Sequence, residues 1–293
     1  TNTSGYGGHN GVKYLTLQKG NGTNVGTMKV ALLSLGQSAE WTANGYVPNN
    51  DAADIGDFYQ WGRVADGHQN IVWNKSANHT NQITPITGGE NTSAVVARGG
   101  NADNIYAANG QIKSTETAYY GKFITGYVDW RVSANNSLWG NIKSSPRSAV
   151  PVSVSGWTYS SNNPCPSGWR IPSRYDFWDL YKGNNNDEPS ESVSWAVNVN
   201  NKWEWRSANN NAIGGVIITN NNGEKIFLPA SGYRNYNDGE LATGTLGQIG
   251  YYWSSTYYSD SRTYCLSFGS AVDAGYRDYV KAYGRCARCV AEF

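Results

Sequence analysis

The chain has 293 residues, enough for one large domain or two ordinary ones. Hydrophobic residues make up 39% and charged residues 15%, with a net charge of +1; average charge usage is about a quarter. So neutral a surface argues against nucleic acid or acidic membrane as the partner, and no apolar run approaches the roughly 20 residues of a membrane span.

Residues 1–27 are rich in Gly, Asn and Thr and read as a linker or an edge strand. Their one apolar stretch is Tyr14-Leu15-Thr16-Leu17. The opening Thr1-Asn2-Thr3-Ser4-Gly5 reads like the start of a trimmed or mature chain. Sequons at Asn21, Asn74, Asn78 and Asn91 are expected by chance in so Asn-rich a sequence. The first firm strand runs from Met28 to Leu35. Asp51, Asp54 and Asp57 follow at intervals of three, then the aromatic cluster Phe58-Tyr59-Gln60-Trp61. Residues 64–156 form a polar insertion, with Trp73, Trp130 and Trp139 as expected anchors and Trp157 just beyond it.

Pro164-Cys165-Pro166-Ser167-Gly168-Trp169-Arg170-Ile171-Pro172 is rigid and turn-rich. Ser173 with Asp176 resembles a capping box, and Phe177, Leu180 and Tyr181 recur at helical spacing. A helix is predicted over Arg174 to Lys182, stopped by Gly183. After an Asn-rich stretch carrying Trp195, Trp203 and Trp205, strands are predicted at Gly215–Thr219, Lys225–Ala230, Tyr251–Ser255, Tyr264–Phe268 and Cys286–Glu292. Few Ala-, Leu- or Glu-rich runs and 34 Gly argue against long helices. No fixed-period repeat is present.

The four cysteines are Cys165, Cys265, Cys286 and Cys289. None has zinc spacing. A redox C-x-x-C starts a helix, whereas Cys286-Ala287-Arg288-Cys289 reads as a strand. Disulfides, and so an oxidising compartment, are the better reading.

Three blocks together resemble a known family. They are MKVALLSLG with DIGDFYQWGR (28–36 and 54–63), NPCPSGWRIPSRYDFWDL (163–180), and FLPASGYRNYNDGEL, GYYWSST and the ending GRCARCVAEF. Their order and spacing resemble the Fibrobacter succinogenes major paralogous domain of Bacteroidetes surface proteins. The resemblance implies one α+β domain over 28–293 with a C-type-lectin-like fold: short twisted antiparallel strands, few short helices and long loops. Residues 251–293 further resemble the variable region of proteins diversified by a retroelement, of which a phage tropism determinant is a relative. There a fixed frame carries surface positions mutated at template adenines, and Asn codons become Tyr, Ser, Asp, Gly or Arg. Tyr257 to Cys265 and Gly275 to Tyr279 are drawn from that palette. The resemblance also implies a Cys165–Cys289 disulfide. Cys265 and Cys286 depart from the family pattern and suggest a second, cross-strand bridge.

Other chemistry is weaker. Asp51, Asp54 and Asp57 lack the full calcium-loop spacing, so a turn with capping carboxylates is the simpler reading. His9, His68 and His79 sit in no nucleophile motif. Glu204, Asp187, Glu188 and Glu191 show no spacing that singles out a glycosidase pair. Trp253 reads as core, and Arg234 as a frame residue pairing an internal carboxylate.

The expected function is non-catalytic recognition of a protein or glycan on another cell or phage-host surface, with no cofactor or metal. The expected ligand-binding residues are Tyr257, Tyr258, Asp260, Arg262, Tyr264, Tyr276, Arg277, Asp278 and Tyr279. Tyr gives large rigid contact area at low entropy cost, and Ser and Asp add adaptable hydrogen bonds. The expected setting is extracellular or cell-surface: a lipoprotein, pilus tip or phage tail tip. Two alternatives are a structural subunit without a specific ligand and an enzyme like the formylglycine-generating oxidases. The enzyme would need Cys286 and Cys289 as a copper pair.

Overall fold

Tyr14 to Leu17 alternates in hydrophobicity, and that alternation builds the first hairpin. Leu15 and Leu17 are fully buried while their neighbours point to the opposite face of the strand, where half-buried Tyr14 packs on Trp169. The turn is Asn10-Gly11, both with positive φ, which suits the twist of a two-residue hairpin. The computed structural model describes residues 4–20, 26–37, 55–72, 93–99, 103–140, 142, 162–181, 189, 200–208, 213–269 and 272–291.

In chain order the strands begin with β1 (Tyr6–His9), β2 (Val12–Gln18), β3 (Thr27–Ala31) and β4 (Tyr59–Gln60). Next come β5 (Val95–Ala97), β6 (Phe123–Thr125) and β7 (Trp169–Arg170), then the helix α1 (Arg174–Tyr181). Strands β8 (Lys202–Arg206), β9 (Gly215–Thr219), β10 (Lys225–Pro229), β11 (Gly250–Tyr257) and β12 (Arg262–Phe268) follow. The last are β13 (Val272–Val280), β14 (Gly284–Arg285) and β15 (Val290–Ala291).

These strands form five small sheets. The largest has the order β1-β2-β3-β15-β7, so the two ends of the chain meet in it. Two three-stranded antiparallel sheets, β10-β9-β8 and β11-β12-β13, come from sequential hairpins. The pairs β14-β4 and β5-β6 complete the set, the latter parallel.

This architecture corrects the expected fold class. Among the described residues there is one α-helix, of eight residues, and the rest is small sheets and loops. The molecule is mainly β, not an α+β C-type-lectin-like fold. The physical reason lies in composition: Gly- and Asn-bounded runs of β-branched and aromatic residues fill the stretches where further helices would lie.

Two apolar clusters face away from each other across a shared layer of backbone. Leu15, Val30, Leu32, Phe177, Ile218, Phe227, Tyr252, Cys286 and Val290 belong to the first. Ala31, Trp61, Trp130, Trp139, Trp169, Trp253, Cys265, Ala287 and Cys289 belong to the second. Neighbouring residues such as Tyr252 and Trp253, or Cys286 and Ala287, alternate between the two, as extended backbone requires. The segment from Cys286 to Ala291 is therefore a partition between two cores. The single strand expected over Cys286–Glu292 is shorter than expected: within it Val290–Ala291 forms β15, pairing with β3 and β7, while Cys286 makes an isolated bridge to Tyr252.

The Cys165–Cys289 disulfide is present and spans 124 residues of sequence. The suggested Cys265–Cys286 bridge is not: both are buried thiols. Strand β11 explains this. Cys265 pairs with Trp253 on one side of it, and Cys286 bridges Tyr252 on the other. The two sulfurs therefore enter different cores.

The helix begins as its capping box predicts. The Asp176 amide donates to Ser173 Oγ at 3.1 Å, and the Ser173 amide donates to Asp176 Oδ2 at 2.7 Å. Every residue of α1 is buried. Lys182, Gly183 and Trp195 lie outside the described residues, as do Asp51, Asp54, Trp73, His79, Trp157, Asp187, Glu188 and Glu191. Asn21, Asn74, Asn78 and Asn91 lie outside them too.

Candidate functional site

The β11–β12 turn is held tightly by its own backbone. The amides of Tyr258 and Ser259 both donate to the Arg262 carbonyl, at 2.9 and 3.1 Å. Across the sheet, Arg262 Nη1 meets Asp278 Oδ2 at 2.7 Å, with the Arg262 side chain exposed and that of Asp278 half-buried. That contact raises the Arg262 pKa above its ordinary value.

Part of the long insertion braces this turn. Asn136 Nδ2 donates to Asp260 Oδ1 at 3.0 Å, and Lys281 Nζ donates to Asn136 Oδ1 at 2.5 Å and to the Asp260 carbonyl at 2.9 Å. The Tyr257 amide donates to the Ile142 carbonyl at 3.1 Å. The insertion also supplies core, since Trp130 Nε1 donates to the Trp61 carbonyl and Trp139 packs on Trp61 at 5.6 Å. Burial lowers the Lys281 pKa to about 8, against the pull of Asp129 and Asp260.

The expected binding residues are placed unequally. Tyr258 is 52% exposed. Asp260 and Arg262 are exposed, and Tyr257, Asp278 and Tyr279 are half-buried. Tyr264 is buried: the exposed Tyr258 packs edge-on against it at 5.6 Å, and the Arg174 guanidinium lies over its ring at 4.0 Å. It supports the surface and does not present itself. Tyr276 and Arg277 lie on β13, with side chains outside the described residues.

The sequence reading missed the largest feature of this face. Five half-buried tyrosines form an edge-to-face chain beside the turn. Tyr279 meets Tyr251 at 5.7 Å, Tyr251 meets Tyr233 at 5.7 Å, Tyr233 meets Tyr283 at 5.2 Å, and Tyr283 meets Tyr236 at 4.8 Å. Such contacts match ring edge to ring face and hold the phenols in fixed orientations. Arg234 anchors the loop that carries Tyr233 and Tyr236. Its backbone bridges Gly284, and its side chain donates to the carbonyls of Gly239, His68 and Ser93. The internal carboxylate expected for Arg234 is thus replaced by carbonyls, which neutralise its N–H donors without adding a charge.

Beneath the tyrosines lies Arg285, 1% exposed. Its Cζ is 3.8 Å from the Tyr279 ring centre, 4.4 Å from Tyr251, and 4.9 Å from both Tyr283 and Trp253. Nη1 donates to Cys265 Sγ at 2.9 Å. Burial, with Tyr279 next, pushes the Tyr251 hydroxyl up to about 12. Burial also raises Tyr283. Both phenols are therefore neutral hydrogen-bond donors at physiological pH.

Among the described residues, the histidine with a carboxylate partner has another role. His68 Nδ1 lies 2.6 Å from Asp66 Oδ1, and its Nε2 accepts from the Gln60 amide at 3.1 Å. Both ring nitrogens are engaged inside the core, so no proton can be passed to a substrate. Arg63 joins Asp66 at 2.5 Å. Burial, then Arg63, lowers the His68 pKa to about 4. Burial acts to raise Asp66, but His68 and Arg63 prevail and hold it well below the carboxylate range. Glu204 sits on the exposed face of β8, paired with Lys202 at 2.9 Å. A copper pair at Cys286 and Cys289 would need both sulfurs, and that of Cys289 is bonded to Cys165.

Residues 197–290 match the family described as "Domain of unknown function (DUF8237)". That is less than half of the chain, but it holds all five chained tyrosines, Arg285 and the β11–β12 turn. No curated protein and no solved structure matches the chain.

Proposed function

We propose that this protein recognises a ligand on another surface without covalent chemistry, and that the β11–β12 turn and the adjoining tyrosine chain form the contact face. One observation carries this reading. Exposed Tyr258, the Arg262–Asp278 pair and five half-buried tyrosines gather around strands β11 to β13, the tyrosines held ring against ring. Phenols combine large contact area with few rotors, and a rigid frame lowers the ordering cost of association. The bracing of Asp260 by Asn136 and Lys281 serves the same end.

The test is binding of the purified protein to arrays of glycans and to intact cell surfaces. The comparison is with the double variant Tyr258→Ala, Arg262→Ala. Both substitutions are solvated, so the unfolding midpoint stays within a few degrees while binding falls at least tenfold. Equal binding by the variant, or no binding by the parent, overturns the reading and leaves a structural subunit as the better account.

The resemblance to retroelement-diversified proteins adds a genetic expectation. A near-copy of the DNA for residues 251–293, differing only where the copy has adenine, lies close to a reverse-transcriptase gene. In that case the differing codons are those of exposed residues such as Tyr258, Asp260 and Arg262, not of the buried Tyr264. Sequencing the gene's flanks decides this.

A further inference from the structure

We infer that Arg285 anchors a carboxylate of the ligand, and that the tyrosine chain above it takes an acidic glycan. The inference rests on the recognition reading above and deepens it.

Removing a guanidinium from water costs several kcal/mol unless its donors are met. The molecule meets that cost elsewhere with oxygen. Arg63 donates to Asp66, Gln60 and the Lys122 carbonyl. Arg170 donates to both oxygens of Asp176. Arg288 donates to the carbonyls of Ala31, Leu32 and Phe227. Arg131 reaches the carbonyls of Ser133 and Gly110. Arg285 is as buried as these, yet among the described residues it donates only to the Cys265 sulfur, a weak acceptor. Its Nε is buried without a hydrogen-bond partner, as are those of Arg63, Arg170 and Arg288, so what sets Arg285 apart is that its terminal N–H groups meet no oxygen among the described residues. Ring faces offset part of its charge but accept no strong hydrogen bond.

The planar fork of a guanidinium matches a carboxylate in two-point geometry. The walls around it are Tyr251, Tyr279 and Tyr283, each half-buried. Phenol rings give a sugar an apolar surface, and phenol hydroxyls can bond its hydroxyl groups. A hydroxyl-rich sugar ring with an apolar C–H face and one carboxylate satisfies the ring surface, the phenol donors and the idle N–H groups together.

The experiment uses the whole chain and an array of glycans that carry uronic or sialic acid, each beside its methyl ester. The ester keeps the rings and removes the charge. Acid forms bind at least tenfold tighter than esters, and the preference disappears in Arg285→Met while Arg285→Lys keeps part of it. Unfolding midpoints identify a variant that has lost its fold, and the acid–ester contrast in the parent protein stands without any variant. Equal binding of acid and ester by the parent, or a preference unchanged in a folded Arg285→Met, overturns the inference. Binding confined to neutral glycans or to protein surfaces, and lost with Tyr258→Ala, Arg262→Ala, sinks the carboxylate anchor but keeps the recognition reading. No binding of any kind overturns both.

Discussion

Cys265 and Cys286 show how one residue's side of a strand decides its chemistry. Both lie next to β11 and are close in the fold, yet they enter opposite cores. Burial raises the Cys286 thiol far above its ordinary value, so the reactive thiolate is scarce at neutral pH. Cys265 is fully buried against Arg285. A disulfide-exchange reagent is therefore expected to find no thiol in the native protein and two after denaturation. Finding none after denaturation would restore the bridge. The sequence could place both cysteines on late strands, but not on opposite sides of a third strand. That depends on long-range pairing, which no local pattern carries.

At the scale of single elements, α1 was the most legible piece, because a capping box and a helical period are local signals. Its contacts separate two kinds of cost. Ser173→Ala removes an N-cap acceptor, and caps of this kind are worth about 0.5–2 kcal/mol. Asp176→Ala removes the carboxylate paired with the buried Arg170 guanidinium; breaking a buried pair costs about 3–5 kcal/mol. Urea denaturation should rank the second well above the first, and equal costs would mean that the Arg170–Asp176 pair adds nothing beyond capping. The strands β9, β10 and β12 were legible too, being apolar runs bounded by Gly, Asn or Asp. Strand β13 was not, since Val272–Val280 holds Asp273, Gly275, Arg277 and Asp278 and lacks any apolar run. Nor was the first hairpin, although Asn10-Gly11 before Val12 was a usable turn signal. The tyrosine face was illegible for a different reason. Its members come from the 233–236 loop, β11, β13 and the turn before β14, and only the excess of 21 Tyr over 6 Phe hinted at it.

At the scale of the molecule, buried titratable groups shape how stability depends on pH. His68 ordinarily titrates near 6.5 but is held at about 4 in the fold. Between those values the unfolded chain takes up a proton that the folded one refuses, so stability falls as pH drops through this window, by up to about 3 kcal/mol. Asp66 and Asp176 are held below their ordinary value of 3.8, and the stability they confer is lost at still lower pH. On the alkaline side a lysine and three tyrosines oppose each other. Lys281 is lowered from 10.5 to about 8, so over that interval the unfolded chain binds the extra proton and stability rises with pH. Tyr59, Tyr251 and Tyr252 are raised above 10 by burial, so beyond pH 10 the unfolded chain loses protons that the fold retains, and stability falls. Urea midpoints measured from pH 4 to 11 should therefore climb to about pH 6.5, stay level to about pH 8, rise slightly and then drop past pH 10. The Cys165–Cys289 disulfide, worth about 4–5 kcal/mol by loop-closure entropy for so long a loop, lifts the whole curve without changing its shape. Reduction then moves every midpoint down together. His68→Gln removes the slope between pH 4 and 6.5, and a slope there that survives that substitution places the proton on another group.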